Sequence, residues 1–217
     1  MVFTCETDEN ELRADTNFRE RLQPEHHLDE SPLTKLHDFG LISNMPLDYM
    51  HMICLGLMRR LILLWIRSSS GSAVAPKFRR LIYNRTAKLT NTIPLEFHRK
   101  PRSLSEIDNW KATEFRFFLL YSGPFVLRHY LPQKYYNNFL LLHIVMRLLA
   151  IGNYTDRTIA TCKTFITQFL REYESIYGSN EMVYNVHSSK HIVSEPENTN
   201  QFMVVMKWFI MYIQANT

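Results

Sequence analysis

Met45-Pro46-Leu47-Asp48-Tyr49-Met50-His51-Met52-Ile53-Cys54-Leu55-Gly56-Leu57-Met58-Arg59-Arg60-Leu61-Ile62-Leu63-Leu64-Trp65-Ile66 is the stretch that decides the fold class. Leu47, Met50, Cys54, Leu57, Leu61 and Leu64 recur at the spacing of one helix face. Met52, Ile53, Ile62, Leu63 and Trp65 widen that face, so the pattern predicts a helix buried on several sides. Asn44 can cap it. Pro46 suits a first turn, because the N–H it lacks would have no helical partner there. Ser68-Ser69-Ser70-Gly71-Ser72 ends it with linker chemistry. Arg59 and Arg60 break the apolar run, which is also shorter than the roughly 20 residues a membrane span needs.

Upstream, residues 1–45 read as a polar, irregular segment, with apolar residues unevenly spaced and Pro24, Pro32 and Gly40 as punctuation. Residues 39–42 suit a short apolar clip. Downstream, residues 46–193 read as a helical domain. A short helix is expected over 77–83 and an extended piece over 90–97. A helix over 104–121 should open at the capping-box pattern Ser103-x-x-Glu106 and stop at Gly123-Pro124. A short helix over 125–130 follows. Then Pro132 opens a helix striped by Tyr135, Phe139, Leu142, Val145, Met146 and Leu149. Thr155 or Asp156 caps another, striped by Cys162, Ile166, Phe169, Leu170 and Tyr173 and ended by Gly178. Residues 182–191 can start a further one. No hairpin signal or alternating run appears, so the class is all-α, or the α part of a larger α+β protein. Residues 194–217 form an atypical tail.

The chain has 217 residues, with 46% hydrophobic and 21% charged, a balance that excludes a disordered polypeptide. Six glycines build no phosphate-cradling loop, and no GxGxxG or GxxxxGK pattern occurs. Cys5, Cys54 and Cys162 are odd in number and far apart, which suits a reducing compartment, nuclear or cytoplasmic. The acidic turn after Met-Val-Phe-Thr-Cys gives no secretory signal, so secretion is not expected. The apolar run 202–213 is interrupted by Lys207 and is also short for a span.

Charge is segregated. Residues 1–51 hold 4 Lys/Arg against 11 Asp/Glu, whereas residues 59–102 hold 11 Lys/Arg against the single acid Glu96. Concentrated cations can neutralise phosphates and release counterions. Arg79, Arg80, Arg85, Lys88, Arg99, Lys100 and Arg102 are the candidate DNA contacts, with Arg59, Arg60, Arg67 and Lys77 beside them. The alternative is a solvated basic face, since a net charge of +4 is mild for a nucleic-acid binder.

Four constellations could carry chemistry. Asp48 and His51 are three residues apart on one helix face, where the acid can orient the imidazole or share a metal with it. The alternative is a helix-capping acid beside a core histidine. His187 and His191 have zinc-chelating spacing, but Ser188 and Ser189 stand where a metalloprotease glutamate would be. His26, His27 and Cys5 make at most half a zinc knuckle. Glu114 is a candidate catalytic carboxylate, or else a partner for Lys111 or another neighbour. No catalytic residue and no metal ligand is assigned, and no nucleophilic triad assembles from spacing.

Residues 45–56 resemble a segment of CACTA-like transposases. So do Trp110-Lys111-Ala112-Thr113-Glu114-Phe115-Arg116, Leu119-Leu120-Tyr121-Ser122-Gly123-Pro124, Leu140-Leu141-Leu142-His143 and Val183-Tyr184-Asn185-Val186-His187, in that order. The resemblance covers most of the chain, from about Thr7 to Val193. It implies a DNA cut-and-paste ancestry and an RNase H-like core in which three carboxylates hold two Mg²⁺ ions. Asp48 and His51 match the family's DxxH motif, and the helices after them match its helical insertion. The family's first two catalytic Asp residues and a CxxC pair precede the matched region, and neither Glu195 nor Glu197 aligns with its catalytic Glu. The expectation is a partial transposase without its central catalytic sheet. It would be inactive alone, with no cofactor of its own although Mg²⁺ is implied for a complete member. It would keep DNA affinity, or be a helical interaction module without a DNA role, or be a chain not stably folded without the rest of its parent domain, in which case exposed apolar surface over 52–66 would promote self-association.

Overall fold

The computed structural model describes residues 14–22, 24, 27, 29–45, 47–67, 76–90, 93, 102–151 and 155–194, without the side chains of 77, 78, 90 and 194. Every regular element among them is helical, and the fold is all-α. Glu6–Leu47 and the chain from Asp48 onward form separate compact units.

The first unit is tied by polar groups. Its helix α1, Asp15–Arg19, is a single turn with no buried residue. The Asp15 carboxylate accepts from the Ile42 N–H at 2.6 Å and from the Ser43 hydroxyl at 2.6 Å. The Ser43 bond, then that of Ile42, hold this carboxyl below its ordinary range. The Arg19 guanidinium donates to the carbonyls of Thr34, Leu36 and Phe39 at 2.6–2.7 Å. Two side chains thus satisfy loop backbone that no ladder serves.

The second unit starts at the Asp48 end of the long apolar stretch. Met50–Met58 is wound as a π-helix and runs straight on into α2, Arg59–Arg67. Met52, Ile53, Cys54, Leu57, Met58, Leu61, Ile62, Leu64, Trp65 and Ile66 are all buried. The exposed apolar surface expected over 52–66 is therefore not there. Neighbouring helices cover it, because apolar groups on every side of a helix are stable only when packed all round. Trp65 sets its ring edge-on to Phe139 at 5.7 Å and donates its indole N–H to the Tyr177 hydroxyl at 2.8 Å. A Cβ on Gly56 would lie 2.5 Å from the Asn185 amide, so glycine is what admits that neighbour.

Several expected boundaries differ. The long apolar helix starts at Tyr49 after Asp48, and not at Pro46 with Asn44 as its cap, because the Asp48 carboxylate takes the Met50 N–H. The short helix expected over 125–130 lies at Gly123–Leu127. Helix α3 runs over Pro76–Thr90, beyond the expected 77–83. Ile82 and Thr86 both face inward, and the Thr86 hydroxyl returns a bond to the Ile82 carbonyl at 2.8 Å, so a polar residue continues the buried face. The single helix expected over 104–121 is broken. A 3-10 segment, Leu104–Asn109, gives way to extended backbone at Trp110, then to α4, Ala112–Phe117. Trp110 leaves the helix to pack on Phe115 and Phe118, at 5.2 and 5.9 Å between rings, while its indole donates to the Ser103 carbonyl. Ser103 accepts from the Ser105 N–H instead of closing the expected box. A second π-turn, Phe118–Ser122, then runs into α5, Gly123–Leu127, so Gly123-Pro124 does not stop the chain.

The rest follows the sequence pattern closely. Helices α6, Gln133–Ile151, and α7, Asp156–Tyr177, pack along the expected stripes. Thr155 caps α7 by accepting from the Thr158 N–H at 3.1 Å. Gly178 ends it with φ +93°, a conformation that glycine adopts without strain. Two short turns, α8, Tyr184–His187, and α9, His191–Ser194, flank the 3-10 piece Ser188–Lys190. No described helix is long and apolar enough to cross a membrane.

Candidate functional site

Asp48 stands where the first helix of the second unit begins. One carboxylate oxygen accepts from the Met50 N–H at 2.8 Å, and the other pairs with His51 Nδ1. The pair is open to solvent, with the His51 side chain 67% exposed. His51 is therefore no core histidine. It is an imidazole oriented through Nδ1, with Nε2 left for an outside partner.

The side chains around Asp48 do not fit the Mg²⁺ pair that the resemblance implies. Among the described residues, no three His, Cys, Asp or Glu side chains converge where a metal could sit. The Asp48 carboxylate is engaged by a backbone N–H and an imidazole. These residues therefore support no chemical step through such an ion.

The other candidates resolve into structural roles. Glu114 is fully buried, and its carboxylate meets the Arg102 guanidinium at 2.6 and 2.9 Å and the Lys111 and Arg102 N–H groups at 2.8 and 3.1 Å. Burial alone would raise its pKa. The Arg102 side chain, then the two N–H groups, outweigh that and hold the carboxyl below its ordinary value. His187 and His191 lie 5.6 Å apart between ring centres, as a pair. Burial holds His191 below its ordinary pKa, with Lys190 adding to the effect. His143 bonds through Nδ1 to the Leu119 carbonyl at 2.7 Å, and burial likewise lowers its pKa. Burial pushes the Cys54 thiol up to about 12 and the Cys162 thiol to about 11, which suits packing and not nucleophilic work. His27 packs against Phe18, whereas Cys5, His26, Glu195 and Glu197 lie outside the described residues.

The basic residues divide sharply. Arg60 pairs with Glu181, and Arg67 grips Asp108 with two bonds of 2.9 and 2.6 Å. Arg102 is committed to Glu114 and to the Asn109 carbonyl. Arg79 donates to the Ile66 carbonyl at 2.7 Å. Arg85 lies 5.6 Å over the Tyr130 ring. Arg80 and Lys88 are exposed on the outer side of α3. Arg99 and Lys100 lie outside the described residues, as does the side chain of Lys77.

Comparison with models of protein families, with curated proteins and with solved structures returned no match. Function must be read from the surfaces themselves. Residue spacing gives no hint of one of them, at the end of α5. Phe125 is 67% exposed there, Arg128 and His129 are exposed, and His129 has φ +75°. A signal was present in the sequence: no Asp or Glu occurs between Glu114 and Asp156. The outer face of α6 also exposes apolar side chains, with Ile151 66% exposed and Ile144 one of its exposed residues.

Proposed function

We propose that this chain derives from a CACTA-like transposase and that its helical body contacts the backbone of duplex DNA. The observation that carries the DNA contact is α3. This helix of 15 residues contains no Asp or Glu, and it turns Arg80 and Lys88 outward. Cations without local acids are what phosphate neutralisation needs. Arg99 and Lys100 extend the same basic stretch in sequence. Support for the ancestry is the quoted resemblance, together with the packing of its segments. The Met50–Met58 helix that follows Asp48 touches α4 and α8, and His143 of α6 bonds to Leu119. The described residues are read as a scaffold and not as a cleavage site, because Asp48 acts as a cap and no carboxylate trio forms around it.

The test is duplex affinity measured across salt concentration. The logarithmic slope should shrink by about 2 in the Arg80→Ala/Lys88→Ala double variant, because each phosphate left without its cation takes about 0.9 from it. Arg67→Ala should leave it unchanged. Affinity indifferent to ionic strength would remove the phosphate reading. Mg²⁺-dependent cleavage by the purified chain, abolished in Asp48→Ala, would overturn the scaffold reading.

A second reading, self-association, is favoured by the outer face of α6. There Leu141, Ile144, Leu148 and Ile151 follow one another at alternating spacings of three and four residues. Light scattering would report it as a dimer mass that disappears in Ile144→Glu.

A further inference from the structure

We propose that the face shared by α3 and the end of α5 binds single-stranded nucleic acid, with an unstacked base on Phe125 and the flanking phosphates on Arg128, Arg85 and Lys88. The inference rests on the reading that α3 meets nucleic acid, and it names the form that this site prefers.

Phe125 is the anchor. Its neighbours Gly123, Val126 and Leu127 are buried, whereas its own ring is 67% exposed. Helix α5 thus packs by one side and offers a flat aromatic ring on the other. Arg128 follows three residues later, with its N–H bonded to the Pro124 carbonyl, so the two side chains share the last turn. His129 then takes φ +75°, a conformation in which a histidine is strained. That turn brings Tyr130 beneath Arg85 of α3, 5.6 Å from ring centre to guanidinium carbon. A guanidinium stacked in this way keeps its N–H edge for phosphate oxygens. Lys88 is exposed and lies three residues beyond Arg85 on the same helix.

The electrostatics agree. Neither α3 nor the chain between Glu114 and Asp156 contains an acid. Among the described residues, the 3-10 segment packed against α3 carries Glu106 and Asp108, and Asp108 is held by Arg67 and Arg59. Cations alone would serve a duplex backbone equally well. The exposed ring is what discriminates. Bases in a duplex are stacked on one another, whereas those of a single strand can stack on an aromatic side chain with little regard to sequence. An acidic peptide would satisfy the cations and leave Phe125 idle.

The experiment uses the full chain, with fluorescence anisotropy of a labelled 20-nucleotide oligo(dT), a 20-bp duplex and poly-glutamate. Phe125→Ala should weaken oligo(dT) binding by about five- to 150-fold, the range for loss of one base–aromatic stack. It should leave the duplex within about twofold, and Phe125→Trp should restore oligo(dT) affinity. Arg128→Ala should weaken oligo(dT) and reduce its salt slope. Because Phe125 is exposed, an unchanged melting temperature is expected for its variants. Equal loss of oligo(dT) and duplex in Phe125→Ala, no loss in either, or poly-glutamate binding as tight as oligo(dT) would overturn the proposal. The α3 reading fails separately, if Arg80→Ala/Lys88→Ala leaves duplex binding and its salt slope unchanged.

Discussion

Arg102 and Arg80 come from the same basic stretch, and the fold uses them in opposite ways. Around Arg102 the chain turns polar groups inward. Its guanidinium closes on a buried glutamate, and the backbone N–H groups of Arg102 and Lys111 complete the carboxylate's shell. Around Arg80 the chain turns charge outward on a helix that holds no acid. The first region ties Arg102 to the start of α4, and the second is available to a partner. A count of charge along a sequence therefore overstates the charge that a binding surface can use. Of the candidate DNA contacts, Arg79 and Arg102 already spend their guanidinium N–H groups within the protein, whereas Arg85 is stacked on Tyr130 and keeps its N–H edge.

The largest expected effect lies in the inward region. Glu114→Ala leaves two backbone N–H groups without their acceptor, and it unpairs Arg102. Loss of a buried charged acceptor should cost about 3 kcal/mol. In a chain of this size that lowers Tm by roughly 6–12 °C, measurable by calorimetry. The pH dependence has a definite sign. The Glu114 carboxyl sits below its ordinary value of 4.5 in the folded protein. Its contribution is therefore complete above that value and is lost as pH falls through the lower, folded one. Glu114→Gln should lie below the wild type at pH 7, and the gap should narrow below pH 4.5. A gap that widens with acid would break the contrast between the two regions. Arg102→Ala sharpens it further: stability should fall while the salt slope of duplex binding stays where it was, the reverse of what Arg80→Ala/Lys88→Ala should do.

Much of the fold was legible because periodicity reports burial. The apolar stripes of α6 and α7, the Thr155 cap and the Gly178 stop stand where spacing puts them. The broken stretch over 104–121 was not legible. Ser103-x-x-Glu106 is a valid local start signal, but the burial of Trp110 against Phe115 and Phe118 outweighs local propensity. The π-winding of Met50–Met58 leaves no trace in spacing either, since α and π registers share the same apolar residues over so few turns. At the candidate site, spacing placed Asp48 beside His51 but offered a core histidine as one alternative, whereas the fold leaves the imidazole exposed. Glu114 shows the same limit: spacing offers Lys111 as its side-chain partner, whereas the fold supplies the Lys111 backbone and the guanidinium of Arg102. Partners that are distant in sequence, such as Asp108 for Arg67, leave no local mark.

The smallest expected effect concerns Asp48, which belongs to neither region cleanly. It has one oxygen turned to the backbone, as in the inward seam, and the other to an exposed histidine, as on an outward face. The two duties can be separated. Asp48→Ser keeps a short oxygen acceptor for the Met50 N–H, whereas Asp48→Ala removes it. If capping is the stabilising duty, Asp48→Ala should cost about 1 kcal/mol and Asp48→Ser a few tenths, read as denaturation midpoints. His51→Ala should then be nearly silent in stability, because an exposed imidazole–carboxylate pair contributes little. Equal losses in Asp48→Ala, Asp48→Ser and His51→Ala would show instead that the histidine contact supports the helix start. The dyad would then belong with Glu114 among the groups that the protein keeps for itself.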